Sequence, residues 1–137
     1  MPTAASKPRR QFRNIHVTQI VGYRMPAPAI VSILHRISGA LLFFVGLPFL
    51  LYLFQESLTS ELSFEHYRSI VAQPLVKLVL LGLIWAYVHH LIAGLRHLAM
   101  DVHIATERAQ AQLFAKVQLA LSVIVTVVLG LKLFGAF

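Results

Sequence analysis

The chain has 137 residues, one domain's worth, of which 58 % are hydrophobic and only 12 % charged. A soluble domain carries about 25 % charged residues, so this composition points to lipid as the solvent and away from a water-soluble globule. The net charge of +7 is scattered among apolar runs and forms no basic face, which argues against a nucleic-acid partner, and the absence of cysteine rules out disulfides and thiolate metal sites.

In chain order, residues 1–28 carry Lys7, Arg9, Arg10, Arg13 and Arg24 and no acid, the signature of a cytoplasmic segment under the positive-inside rule. An arginine-rich, acid-poor start also fits a mitochondrial targeting segment. Here it runs directly into the first span through Pro26 and Pro28, with no separate cleavable unit, which favours a bacterial inner membrane over the mitochondrial one. The first span is placed at 29–54, with no formal charge from Ile37 to Phe54 (ISGALLFFVGLPFLLYLF). Pro48, mid-span, is expected to kink the helix or remove a backbone hydrogen bond. Residues 55–73 (QESLTSELSFEHYRSIVAQ) are polar, a periplasmic loop with room for a short amphipathic turn.

The second span is placed at 74–100 and is uncharged from Leu78 to Leu95, although His89 and His90 lie inside it. A cytoplasmic connection follows at 101–114, flanked by Arg96, Arg108 and Lys116 and expected to continue as helix on one side or both. The third span, 115–137, ends near Lys132, which can snorkel to the interface. About 20 apolar residues cross a bilayer as helix. These runs are continuous, not alternating as barrel strands would be, so the fold class is an all-α integral membrane protein with three transmembrane helices and a cytoplasmic N-terminus.

Ionisable residues within membrane helices are functional candidates by default. On the second span, His90 and His97 are seven positions apart and fall within about 20° of one face. Gly94 lies between them and Asp101 extends the stripe. A glycine one turn from a sideways-pointing imidazole leaves a flat slot that a haem would fit, with His97 and Arg96 about 10 Å nearer the cytoplasmic end, where propionates seek positive charge. Spacing alone leaves equally open that these groups only bind helices together. His89 is about 100° away and reads as a neighbour contact; His16, His66 and His103 lie outside the spans and read as solvated. One chain supplies one convincing axial histidine, so a bis-histidine haem needs a partner's.

On the first span, Ser32, His35, Arg36 and Gly39 in SILHRISG follow the i, i+3, i+4, i+7 rule and share a stripe. An unpaired guanidinium at the depth of Arg36 is costly, so it should meet an anion or acceptor. A snorkelling arginine is the plain reading. The functional ones are a quinone pocket, whose donors stabilise the negative charge created by reduction, or neutralisation of a haem propionate. On the third span, Gln118, Ser122, Thr126 and Gly130 recur every four residues, a packing seam rather than a site.

SILHRISG on the first span, together with HLIAGLRHLAMD at the end of the second, resembles the cytochrome b membrane-anchor subunits of succinate dehydrogenase, respiratory complex II. The likeness covers nearly the whole chain and departs in detail only before Pro26. It implies that His90 is the axial ligand of a haem b shared with a second hydrophobic anchor subunit, which supplies the other axial histidine. It further implies that Ser32 and Arg36 line a ubiquinone site near the iron–sulfur subunit, and that His35, Arg36 and His97 lie near the haem propionates. An FAD flavoprotein would oxidise succinate and pass electrons through the clusters to ubiquinone, and this chain would contain no succinate site. A cytochrome b anchor of a fumarate reductase or another quinone-linked enzyme is one alternative; a non-redox helical scaffold or transporter component is another.

Overall fold

The computed structural model describes residues 16–136, so Lys7, Arg9, Arg10 and Arg13 of the basic segment lie outside the described residues. A short helix α1, Val17–Gly22, opens the described chain. His16 caps it: the ring accepts from the Thr18 N–H, and the Gln19 side chain accepts from the His16 N–H at 3.2 Å. The helix ends at Gly22, and Tyr23 leaves it in an extended conformation, φ −78° and ψ 126°. Pro26 then serves as the N-cap of α2, Ala27–Leu41, and Pro28 sits in its first turn, where a missing N–H leaves nothing unsatisfied.

From α2 the chain passes without a break through a π-helical turn, Leu42–Gly46, into α3, Leu47–Thr59. Pro48 has no N–H to offer the carbonyl four residues back, and its ring crowds that carbonyl. The wider turn just before it, in which the Leu47 N–H donates to the Leu42 carbonyl, accommodates both problems, so a locally widened helix stands where the sequence suggests a kink. The whole run Ala27–Thr59 is 33 residues. At about 1.5 Å per residue it is about 50 Å long, beyond the roughly 30 Å hydrocarbon core, so its ends reach the headgroups.

The polar segment that follows is a helix in its own right. α4, Glu61–Ala72, begins at a capping box of Ser60 and Ser63 and carries one exposed ion pair, Glu65–Arg68 at 3.4 Å, of a kind that adds little stability. α5, Pro74–Asp101, and α6, Arg108–Leu133, complete the three spans. Their connection turns through left-handed residues at His103 (φ 62°) and Ala105 (φ 57°), and α6 starts well before Ala115. The described residues contain no strand.

α2, α5 and α6 pack on one another, and where all three meet the core is Val31, Ala93 and Ala115, each fully buried. Small residues let helix backbones approach in a membrane, where no hydrophobic force pushes helices together. The buried face of α6 is Ala115, Gln118, Ser122, Thr126 and Gly130. The Ser122 hydroxyl donates to the Leu119 carbonyl at 2.9 Å and that of Thr126 to the Ser122 carbonyl at 2.7 Å, so both are satisfied within their own helix. Large side chains point outward: Phe44 is 74 % exposed and Phe54 62 %. Only 17 % of the first apolar span and 28 % of each of the others is buried within the chain, which leaves most of this apolar surface to lipid or further helices.

The close approach of α5 and α6 gives a test. A Cβ on Gly130 would lie 2.8 Å from Leu81 Cδ1, the end of a flexible side chain. Gly130→Ala should cost little, whereas Gly130→Leu should destabilise by about 1–3 kcal/mol through overpacking, measured by denaturant unfolding in detergent micelles.

Candidate functional site

α2 and α5 face each other along the stripe that carries their histidines. The His35 ring stacks on the His90 ring, centroids 4.1 Å apart and planes 14° from parallel, and lies 5.1 Å from the tilted His97 ring. A glycine makes the first of these contacts possible. A Cβ at Gly39 of α2 would sit 2.8 Å from His90 Cε1 and 3.3 Å from its Nδ1, so the imidazole from α5 occupies the space a side chain would take. Over Gly94 of α5 the His35 Nε2 lies 3.8 Å from where a Cβ would stand, an ordinary contact distance that leaves room for a methyl group. The sequence assigns Gly94 as the slot beside His90. In the structure the glycine directly beneath the His90 ring is Gly39, on the other helix, while His35 lies over Gly94 at ordinary contact distance.

One hydrogen-bond cluster sets the chemical state of His90. Its Nδ1 lies 3.1 Å from the His35 carbonyl oxygen and 3.3 Å from Ser38 Oγ, and the Ser38 hydroxyl donates to the same carbonyl at 2.9 Å. A carbonyl only accepts, so Nδ1 carries the hydrogen and Nε2 keeps its lone pair. Nε2 makes no hydrogen bond among the described residues. A metal-ligating histidine is ordinarily held this way, its second nitrogen donating to a carbonyl that fixes tautomer and ring orientation. His35 and His90 stack and His97 is tilted against His35, and no group of three or more His, Asp or Glu among the described residues is arranged to hold a metal ion. One imidazole with its tautomer fixed and Nε2 unpartnered among the described residues fits a single ligand position of a group such as a haem.

The remaining sequence candidates divide. Ser32 is half-buried on α2 and makes no side-chain hydrogen bond among the described residues; Arg36 is exposed. His89 is fully buried and stacks on Trp85, centroids 5.4 Å apart, with neither ring nitrogen in a well-formed hydrogen bond among the described residues. Arg96 does not accompany His97 toward His35 but lies between α5 and α6. Asp101 and His103 are exposed, and His66 meets the Tyr52 hydroxyl at 3.5 Å. Ser38 is the residue that sequence reasoning misses. It is fully buried, and its signal was its place in HRISG, three residues after His35 and one before Gly39.

Fold and site together define a three-span helical membrane protein with an imidazole cluster built between its first two spans. Residues 12–129 match the family described as succinate dehydrogenase/fumarate reductase transmembrane subunit, and the chain belongs to that family, as SILHRISG and HLIAGLRHLAMD suggest. It is 35 % identical over 105 residues to the succinate dehydrogenase cytochrome b556 subunit of Paracoccus denitrificans, covering 77 % of this chain and 80 % of that one. It is 40 % identical over 81 residues to the protein of the same name from Coxiella burnetii, covering 58 % of this chain and 64 % of that one.

The unequal fit of the two glycines predicts unequal effects. Gly39→Ala should displace the His90 ring and destabilise the chain by about 1–3 kcal/mol, while Gly94→Ala, at ordinary van der Waals distance from His35, should be nearly neutral. Thermal unfolding of the purified chain in detergent, followed by circular dichroism, distinguishes them.

Proposed function

We propose that this chain is the haem b-binding membrane anchor of a succinate:ubiquinone oxidoreductase in a bacterial inner membrane. The observation that carries the reading is the state of His90: an imidazole inside the bundle, its Nδ1–H donated to the His35 carbonyl and its Nε2 free. Family membership and the cytochrome b556 names of the two relatives support it. When bound, haem b supplies a one-electron carrier within the membrane. His90 Nε2 is the iron ligand from this chain, and a second hydrophobic anchor subunit provides the other.

Ser38 and the His35 carbonyl hold the ring of His90 against rotation, and Gly39 gives it room. His35 and His97 stand toward the cytoplasmic end, where their N–H groups, with the charge of Arg36, serve the propionate carboxylates. Ser32 and Arg36 are one helical turn apart on the same side of α2. Their hydroxyl and guanidinium lie at the membrane edge, where they hold the oxygens of ubiquinone and stabilise the negative charge that develops there on reduction. An iron–sulfur subunit docks at this edge and delivers electrons from an FAD flavoprotein that oxidises succinate. Both named relatives are succinate dehydrogenase subunits, which favours this direction of turnover over fumarate reduction.

The purified complex should give b-type bands in a dithionite-reduced minus oxidised spectrum, and His90→Ala should remove them while the helical content persists. Bands unchanged in His90→Ala would refute the ligand assignment. Arg36→Ala should lower ubiquinone reduction by about tenfold or more while succinate oxidation with an artificial acceptor continues; equal loss of both activities would count against the quinone role.

A further inference from the structure

On the flank of α5 away from the histidines, a second group of polar atoms lies buried without partners. Arg96 Nε and Nη2 are shielded from solvent and make no hydrogen bond among the described residues, and the same holds for both amide atoms of Gln118. Gln118 is only 3 % exposed. Both side chains line a cavity of about 310 Å³ between α5 and α6, near the turn that joins them. The rest of the wall is apolar, including Leu95, Ile104, Phe114 and Leu121, and no Asp or Glu lines it.

Arg96 is half-buried, and two of its three guanidinium nitrogens are shielded from water with no acceptor among the described residues; a partly desolvated cation without a counter-ion is costly, so the site suits an oxyanion. The planar fork of arginine suits a phosphate or carboxylate, and the Gln118 NH₂ can donate beside it. The apolar walls call for hydrocarbon. Leu95 is 59 % exposed, Ile104 55 %, Phe114 48 % and Leu121 45 %, so these walls run out onto the flank of the bundle. The volume is at the small end of ligand pockets, about 300–1,000 Å³. It suffices for a headgroup phosphate and the first carbons of a chain whose remainder lies along the helices. Arg96 is five residues from the end of α5 at Asp101, about 7–8 Å along the axis, a depth at which a lipid phosphate is within reach.

We propose that the cavity between α5 and α6 binds an anionic membrane phospholipid, its phosphate held by Arg96 and Gln118 and an acyl chain lying past Leu95 and Leu121. This site stands apart from the imidazole cluster, and the proposal does not rest on the haem reading.

The test uses the full chain in its native complex, delipidated in detergent and titrated with dioleoyl phosphatidylglycerol, dioleoyl phosphatidylcholine or oleate, with bound lipid counted by native mass spectrometry. The expected result is one phosphatidylglycerol per chain, bound about tenfold or more tightly than to Arg96→Gln, with phosphatidylcholine weaker. Leu121→Trp, which fills the apolar end and leaves both polar groups in place, should weaken binding as well. Melting curves guard against a folding artefact. Without lipid, Arg96→Gln should melt no lower than the wild type, because an uncompensated charge has been removed; with phosphatidylglycerol only the wild type should gain stability. The proposal is overturned by absence of bound phosphatidylglycerol in the wild type, by equal binding in Arg96→Gln, or by retention of oleate in preference to phospholipid. Loss of a partner subunit from Arg96→Gln with lipid stoichiometry unchanged would also overturn it, since a partner's carboxylate would then be the counter-ion. A lipid-free Arg96→Gln that melts lower counts against it too.

Discussion

At the centre of this bundle, α2 gives up a side chain so that α5 can place an imidazole. Gly39 receives His90, and the His35 ring stacks on it. This seat constrains the relative positions of α2 and α5 more sharply than aliphatic contacts would, because a ring seated on a bare backbone has little freedom to slide. It also brings the backbones close enough for the His90 Nδ1–H to reach a carbonyl of the opposite helix, which selects the tautomer. Packing and chemistry are thus one arrangement: the contact that locks the helices also leaves the Nε2 lone pair available.

The rest of the molecule follows the logic of a lipid solvent. Hydroxyls, an amide and imidazoles lie inside, while most phenylalanines and leucines face out. Inside, polar groups find one another or their own backbone, as Ser122 and Thr126 do. Outside, bulky apolar side chains meet acyl chains at no cost. The inner groups left without partners, His89, Arg96 and Gln118, are the exceptions that call for explanation by something beyond this chain or by their own packing, as with the Trp85 ring against His89.

The three spans are legible in the sequence because a bilayer demands long uncharged runs, and such runs are visible in single-letter code. The polar segment around Glu61–Ala72 is less so: its helix rests on a serine capping box and short amphipathic spacing, both weak signals beside the spans. Within the site, helical periodicity suffices to put His90 with His97 and Ser32 with His35. It cannot say which residues meet across the interface, since that depends on the register between two antiparallel helices 52 to 55 positions apart in sequence. The pairing of Gly39 with His90, and the part played by Ser38, are invisible for that reason. His89 and Arg96 pose a related difficulty. α5 packs on α2 and on α6 and carries polar residues toward both, so no single stripe ranks them.

The widened turn at Leu42–Gly46 has an effect on spacing along the first span. The fully enclosed positions of that span are Val31, Ser38, Gly46 and Leu53, separated by seven, eight and seven residues. Seven residues of α-helix return to nearly the same side, whereas eight overshoot by about 80°. The supernumerary residue falls between Ser38 and Gly46, in the interval that contains the wide turn, and a turn closed by an i→i+5 bond absorbs one such insertion. The inward line therefore continues past Pro48 instead of spiralling off it, and Leu53 is aligned with Ser38 despite the interrupted count. Each half of this span keeps its own regular seven-residue beat, and the wide turn is where the two are brought back into phase.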